Sequence, residues 1–300
     1  MIMGSKNEVR LVGWREVLEP RIVELRLTWH LIKKNPLTVT GIIVLAFVVL
    51  ASILAPLISP HDPIEQDLSK TLLPPSREHV LGTDYMGRDV LSRIIWGGRY
   101  SITIGVIVTV VSAVIGVLIG LVSGYLGGKT DEIVMRVSDI FLAFPSLVLA
   151  MAIAAALGPG LMNTMTAMIA VWWPGYARLV RGSVLSTKEQ EFVEAARAVG
   201  EGNARIIFRH ILPNCLAPII VAMTLDVGYA LIYGSGLSFI GLGAQPPTPE
   251  WGVMVSEGRH YIMNQWWVST FPGIAILITV VSICLFGDGL RDALDPRMRR

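Results

Sequence analysis

The chain offers few residue groupings that could carry covalent chemistry. Ser123 to Thr130, SGYLGGKT, comes within one position of a phosphate-binding loop of the form GxxxxGK[ST]. Ser123 stands where the first glycine belongs, and the segment closes a long apolar run instead of joining a strand to a helix in water, so it reads as a loop at a helix end. The five histidines, at 30, 61, 79, 210 and 260, are scattered; neither an HExxH pattern nor a GxSxG elbow occurs. Cys215 and Cys284 have no metal-site or disulfide spacing. Asp226 stands out as the only formal charge well inside an apolar run. An Asp at the centre of a membrane helix costs about 2.5–3.5 kcal/mol to insert, so it should face a cavity or a partner. It either lines a translocation path or is a hydrogen-bonded packing residue. The expectation is a chain that is not an enzyme and holds no cofactor or metal of its own.

A second feature is a polar insert between apolar runs, Ser186 to Pro213, STKEQEFVEAARAVGEGNARIIFRHILP. Ser186 with Glu189 has the form of a capping box, which predicts a helix from there to about Val199. Gly200 is placed to accept a left-handed helix end. Asn203 can cap a second short helix, and Pro213 disfavours helix at Leu212. Phe192, Ala195, Ala196 and Val199 fall on one stripe, with alanines that let another protein approach closely. An ordinary amphipathic helix lying on the membrane would have the same spacing.

The elements that must position these residues are membrane helices. Of 300 residues 53% are hydrophobic and 16% charged, with a mean hydropathy of +0.59, which excludes an ordinary soluble globule. Charge-poor runs at 37–59, 100–126, 140–157, 161–177, 215–242 and 268–286 predict an all-α polytopic protein of about six spans, the fourth marginal in length. The division is then a cytoplasmic segment 1–36, a first span and outer loop 37–99, a membrane core 100–287 and a tail 288–300. Basic residues number seven before residue 37, two in 127–138, six in 178–214 and four after 287. The opposite side holds five in 60–99 and Arg259. This bias predicts both termini inside and the polar insert in the cytoplasm, although the five at 60–99 dilute it. Arg178 and Asp139 are expected at helix ends. Residues 14–34, with Trp14 and Trp29, form either an interfacial helix or a loose tail. Ser112, Gly116, Gly120, Gly124 and Gly128 make a small-residue ladder suited to close helix packing. Pro145, Pro174 and Pro272 should bend spans or mark their ends, and Gly234, Gly236, Gly241 and Gly243 suit a helix that ends or flexes.

At Glu194-Ala195-Ala196, Gly200 and Leu212-Pro213 the insert resembles the signature cytoplasmic loop of permease subunits in binding-protein-dependent ABC importers. Leu81–Gly105 (LGTDYMGRDVLSRIIWGGRYSITIG), Gly243–Trp251 (GAQPPTPEW) and Gly287–Pro296 (GDGLRDALDP) resemble the second, C-type permease of the dipeptide/oligopeptide/nickel group. His210 departs from the general signature, where isoleucine is common, but is similar to the peptide-group version. The resemblance implies a type I permease fold with coupling helices between the fourth and fifth spans, in a multi-pass protein of the plasma membrane. It implies four kinds of partner: a second homologous permease, two cytoplasmic ATPases carrying ATP and Mg, an extracytoplasmic binding protein, and membrane lipid, with no nucleic acid. Phe192, Glu194, Ala195, Ala196, Gly200, Leu212 and Pro213 would form the ATPase-coupling site, with Glu194 as a polar anchor and Gly200 setting an angle. Gln245, Pro246, Pro247 and Trp251 would meet the binding protein; Asp226 stays a candidate pore-lining residue beside its packing alternative.

Relatives of this group carry dipeptides, longer peptides, nickel chelates, glutathione or oligosaccharides, and no constellation in the sequence chooses among them. A self-powered secondary transporter is the alternative of another class. Such proteins commonly show internal repeats and several intramembrane ionisable groups; this chain has no evident repeat and one such group.

Overall fold

A computed structural model of the chain describes residue 30 and residues 32–294. The expected interfacial helix at 14–34, with Trp14 and Trp29, lies almost wholly outside the described residues, as does Pro296. Among the described residues every regular element is helical, and the one β contact is an isolated bridge between Thr83 and Asp89.

Helix α1, Pro36–Ile53, starts on Asn35, whose side chain accepts from the Leu37 and Thr38 amides, with a proline in its first turn. Its 18 residues reach about 27 Å at 1.5 Å per residue, close to a hydrocarbon core of about 30 Å. Helix α2, Val90–Leu126, begins ten residues before the apolar run does, because Asp89 caps it through the Ser92 amide. Residues 90–99 are therefore helix, not outer loop. Helices α3, Gly128–Leu142, and α4, Ser146–Leu157, meet at an 87° bend just before Ser146, at Pro145. Helix α5 runs Leu161–Thr187, and the short α6 is Glu191–Ala198. Asn203–Arg205 and a π-helical turn, Ile206–Ile211, lead without a break into α7, Leu212–Phe239. Helix α8 is Trp251–Gly258, and α9, Trp267–Leu294, carries the chain past the expected end of the core at residue 287.

Four of these helices are long and apolar enough to cross a membrane: α1, α2, the rod Asn203–Phe239 and α9. The bent pair α3 and α4 makes a fifth if it counts as one span. The expected sixth is α5. Its 27 residues reach about 40 Å, but Arg178 and Arg181 lower its hydropathy. Both arginines pair with α3, Arg178 with Asp139 at 2.5 Å and Arg181 with Asp131 at 2.6 Å. Asp139 lies in the last turn of α3, as expected, whereas Arg178 lies well inside α5, contrary to expectation. Most of the inward length of α5, from Thr164 to Val184, is buried by its neighbours, so it need not be apolar all round.

The small-residue ladder packs as expected over four of its five positions. A Cβ on Gly116 would collide with the Trp173 carbonyl and the Tyr176 side chain, and one on Gly120 would lie 2.5 Å from the Ala177 carbonyl. Gly124 faces Val184, and Ser112 is fully buried. The contacts of the three glycines are all with α5. Gly128 is outside this packing, starting α3 in open space with φ +55°. Pro174 and Pro272 lie inside α5 and α9.

Candidate functional site

The polar insert folds differently at its start than its spacing suggests. Ser186 lies within the last turn of α5, so it is no N-cap, and Gln190 precedes α6 without a side-chain cap. Lys188 instead closes the neighbouring helix end, donating to the Gly124 carbonyl at 3.2 Å. The acidic first turn, Glu191 and Glu194, and the basic last turn, Arg197, suit the α6 dipole.

The far end of α6 matches the sequence. Gly200 takes φ +83°. Its amide donates to the Arg197 carbonyl at 2.9 Å, and the Glu201 amide donates to the Ala196 carbonyl at 3.1 Å. These two bonds are the Schellman pattern, which a left-handed residue closes. Asn203 is the first residue of the next helix, not its cap. Its Oδ1 accepts instead from the Tyr125 hydroxyl at 2.9 Å, while Arg197 lies over the Tyr125 ring. His210, the departure from the general signature, bonds Glu201 at 2.7 Å and so pins the turn to the helix that follows.

Pro213 does not stop the helix at Leu212. A proline in an α-helix collides with the carbonyl four residues back, here that of Arg209. The six residues before Leu212 are wound as a wider π turn, and the Leu212 amide reaches back to Ile207. Leu212 packs, half-buried, against the cluster below α6, while Pro213 is exposed.

Helix α6 has two distinct faces. Val193 and Ala196 are buried with Val180, Val184, Ile206, Ile211 and Cys215. Burying a valine such as Val193 fully stabilises the fold by about 1.5–3 kcal/mol. The expected stripe is thus split: Ala196 belongs to the buried face with Val193, and the rest look outward. Phe192 is 41% exposed and Val199 78%, with Ala195 and Glu194 also at the surface. Among the described residues the Glu194 carboxylate has no ion pair. The inner face fixes the helix in place, and the outer face carries exposed apolar side chains with the acids Glu191 and Glu194 in its first turn.

Asp226, on α7, is half-buried and lines a cavity of about 270 Å³ with Ser146, Trp172 and Tyr176. The cavity opens where Pro145 bends α3 from α4. The Tyr176 hydroxyl is buried and sits beside the Asp226 carboxyl, so the polar group has a partner inside the fold.

The Gln245–Trp251 block divides as well. Gln245, Pro246 and Pro247 are exposed, with the Gln245 amide donating to the carbonyls of Gly241 and Gly243. Trp251 is 2% exposed, its indole N–H donating to the Ile94 carbonyl at 2.9 Å, so the expected surface contact through Trp251 is corrected to a packing role. Sequence reasoning missed Glu250 beside it. This carboxylate is fully buried, caps α8 through the Val253 amide, and accepts from Ser101 and Ser235.

It also missed what the LGTDYMGRDVLSR block does. Asp84, Arg88, Arg93 and Glu257 form a buried ion network. Arg88 Nε lies 2.6 Å from Asp84, and Arg93 Nη2 lies 2.9 Å from Glu257. Arg88 also reaches Glu257 at 3.1 Å, and the Tyr85 hydroxyl donates to it at 2.8 Å. Asp84 with Arg88 four residues on was the available signal.

Residues 116–300 match the family described as binding-protein-dependent transport system inner membrane component, and residues 24–75 match the N-terminal TM domain of oligopeptide transport permease C. The chain is 48% identical over 272 residues to the probable D,D-dipeptide transport system permease protein DdpC of Escherichia coli, covering 91% of each chain. It is 46% identical over 268 residues to the dipeptide transport system permease protein DppC of Alkalihalophilus pseudofirmus, covering 89% of this chain and 88% of that one. Among solved structures, a chain of the MetNI methionine ABC transporter in an inward-facing conformation superposes with a TM-score of 0.52. That pair shares 20% identity over 68% of this chain and 97% of the other, which is a likeness of fold alone.

Proposed function

The chain belongs to the family of binding-protein-dependent transport system inner membrane components, and from that premise we propose that it forms one half of the pore of an ABC importer for di- or oligopeptides. It is a multi-pass inner-membrane permease subunit of the type I fold. In this account a second homologous permease completes the pore, and two cytoplasmic ATPases hold the ATP and Mg. An extracytoplasmic binding protein delivers the peptide, with Gln245, Pro246 and Pro247 as its contact on this chain. Peptide cargo is preferred because the relatives above carry dipeptide names.

The observation that carries the coupling mechanism is the two-faced α6. Its inner face, Val193 and Ala196, moves with α5 and α7 because it shares their core. Its outer face, Phe192, Ala195 and Val199 with Glu194, is the proposed seat on the ATPase. When the ATPases close on ATP, α6 is carried with them. The rod Asn203–Phe239 follows, since the Schellman turn and the Glu201–His210 bond leave little slack between them. An ATPase shifts the permease only by contacting its two states unequally, and the outer face of α6 is where that difference is placed. Asp226, beside the bend at Pro145, is assigned to the pore lining.

Glu194→Lys and Phe192→Asp test this in the intact complex. Both side chains are exposed, so membrane levels of the permease should stay as in the wild type. The yield of co-purified ATPase and the rate of peptide uptake should fall together. Normal assembly with normal uptake in both variants would refute the assignment of α6.

A further inference from the structure

Away from the pore, the segment between α1 and α2 brings His61, His79 and Asp89 together. Each offers one ligand atom, and the three atoms lie within 4.8 Å of one another. The arrangement is asymmetric in a telling way. Asp89 Oδ2 is already taken by the amide and hydroxyl of Ser92, which turns Oδ1 toward the histidines. His79 Nδ1 lies 3.0 Å from that Oδ1, and His61 Nδ1 lies 3.7 Å from it. The His79 side chain is 5% exposed. Its Nε2 is buried and makes no hydrogen bond among the described residues, and the same holds for Nδ1 of His61.

These two buried nitrogens have carboxylates nearby but beyond hydrogen-bond reach, Glu78 at 3.8 Å from His79 Nε2 and Asp89 at 3.7 Å from His61 Nδ1, and are costly to leave so. The two rings lie 4.7 Å apart, centroid to centroid. Asp89 Oδ1 lies within reach of both Nδ1 atoms, so an ion that replaces the ring proton between them would meet the carboxylate and the two imidazoles together. Asp62, Glu65 and Asp67 line the same cavity of about 110 Å³, and Lys70 is the one cation beside them. Lys70 is itself tied to Glu78 at 2.6 Å. The cavity therefore has an excess of negative charge and two nitrogen donors.

We propose that His61, His79 and Asp89 form a site for a divalent transition-metal ion, with Zn²⁺ the ion that suits it best. Two imidazoles and a carboxylate match the donor preference of Zn²⁺, whereas Ca²⁺ and Mg²⁺ take oxygen cages. Zn–N bonds are roughly 2.0–2.1 Å, so three atoms spread over 4.8 Å close on the ion by shifts of ~1 Å or less. A bound ion ties the segment after α1 to the N-cap of α2, next to the existing bond from the His61 amide to Ser92 Oγ. This site is independent of the proposed transport function.

The test uses the full chain in detergent, stripped with a chelator. Zn²⁺ titration followed by calorimetry and metal analysis should give one ion per chain and a raised melting temperature. Co²⁺ should give the visible absorption of a tetrahedral site that Zn²⁺ abolishes. His61→Ala removes a partly exposed ligand and keeps the backbone bond to Ser92; it should weaken Zn²⁺ by roughly tenfold or more. His79→Gln should do the same, but it disturbs a buried residue. Wild-type protein that takes up no Zn²⁺ and shows no Co²⁺ band would overturn the proposal without reference to any variant. Equal Zn²⁺ binding by wild type and His61→Ala would overturn it too, assigning the binding to other histidines.

Discussion

Single residues carry the distinction between holding α6 and presenting it. Gly200 is the clearest case, because its φ of +83° and its amide bond to Arg197 are both needed to turn the chain. Gly200→Ala keeps the amide and should cost about 1–2 kcal/mol, the left-handed penalty of a Cβ. Gly200→Pro removes the donor and fixes φ near −65°, so it should destroy the turn. The check is ATP-driven uptake by the two variants at matched membrane level, with alanine mildly impaired and proline inactive. The position of Gly200 was legible in the sequence because a helix end needs little beyond local geometry. The role of Trp251 was not. Burial of an aromatic next to two prolines depends on α2 passing beneath it, and nothing local announces that.

Among the elements, the α2–α5 pair is the frame on which the rest is hung. The small-residue ladder predicted a packing face, and its partner, unknown from sequence, is α5. Gly120→Ala places a methyl against the Ala177 carbonyl, which must shift for it. Overpacking of this kind costs about 1–3 kcal/mol, so the melting temperature of the purified chain should drop. Gly236→Ala on α7 meets open space and serves as the matched control, with little change expected. The apolar runs located the spans but misjudged their ends. Ser186 and residues 90–99 look like boundaries in sequence. Yet α5 continues past Ser186 on the strength of its packing, and α2 starts early because Asp89 caps it and Arg93 finds buried carboxylates. The π turn before Pro213 was likewise invisible, since a proline signals a break and says nothing of the helix widening to admit it.

At the scale of the whole molecule, charge explains both orientation and stability. The five basic residues at 60–99 blurred the sidedness count. The structure pairs three of them, Arg88 and Arg93 with Asp84 and Glu257, and Lys70 with Glu78. Glu257→Gln should leave Arg88 and Arg93 to share Asp84 alone, one buried positive charge in excess, and cost about 3–5 kcal/mol, read as a lowered melting temperature. With that network set aside, the remaining basic excess favours both ends and α6 on the same, inner side, as the proposed coupling through α6 requires.

The most direct test of the account is peptide uptake by proteoliposomes. One set holds this chain, its partner permease, the ATPases and the binding protein; another holds the permeases alone. The account predicts uptake of a labelled dipeptide in the first set only, strictly dependent on internal ATP and abolished by Glu194→Lys. Uptake by the permeases alone, driven by an ion gradient without ATP, would contradict it.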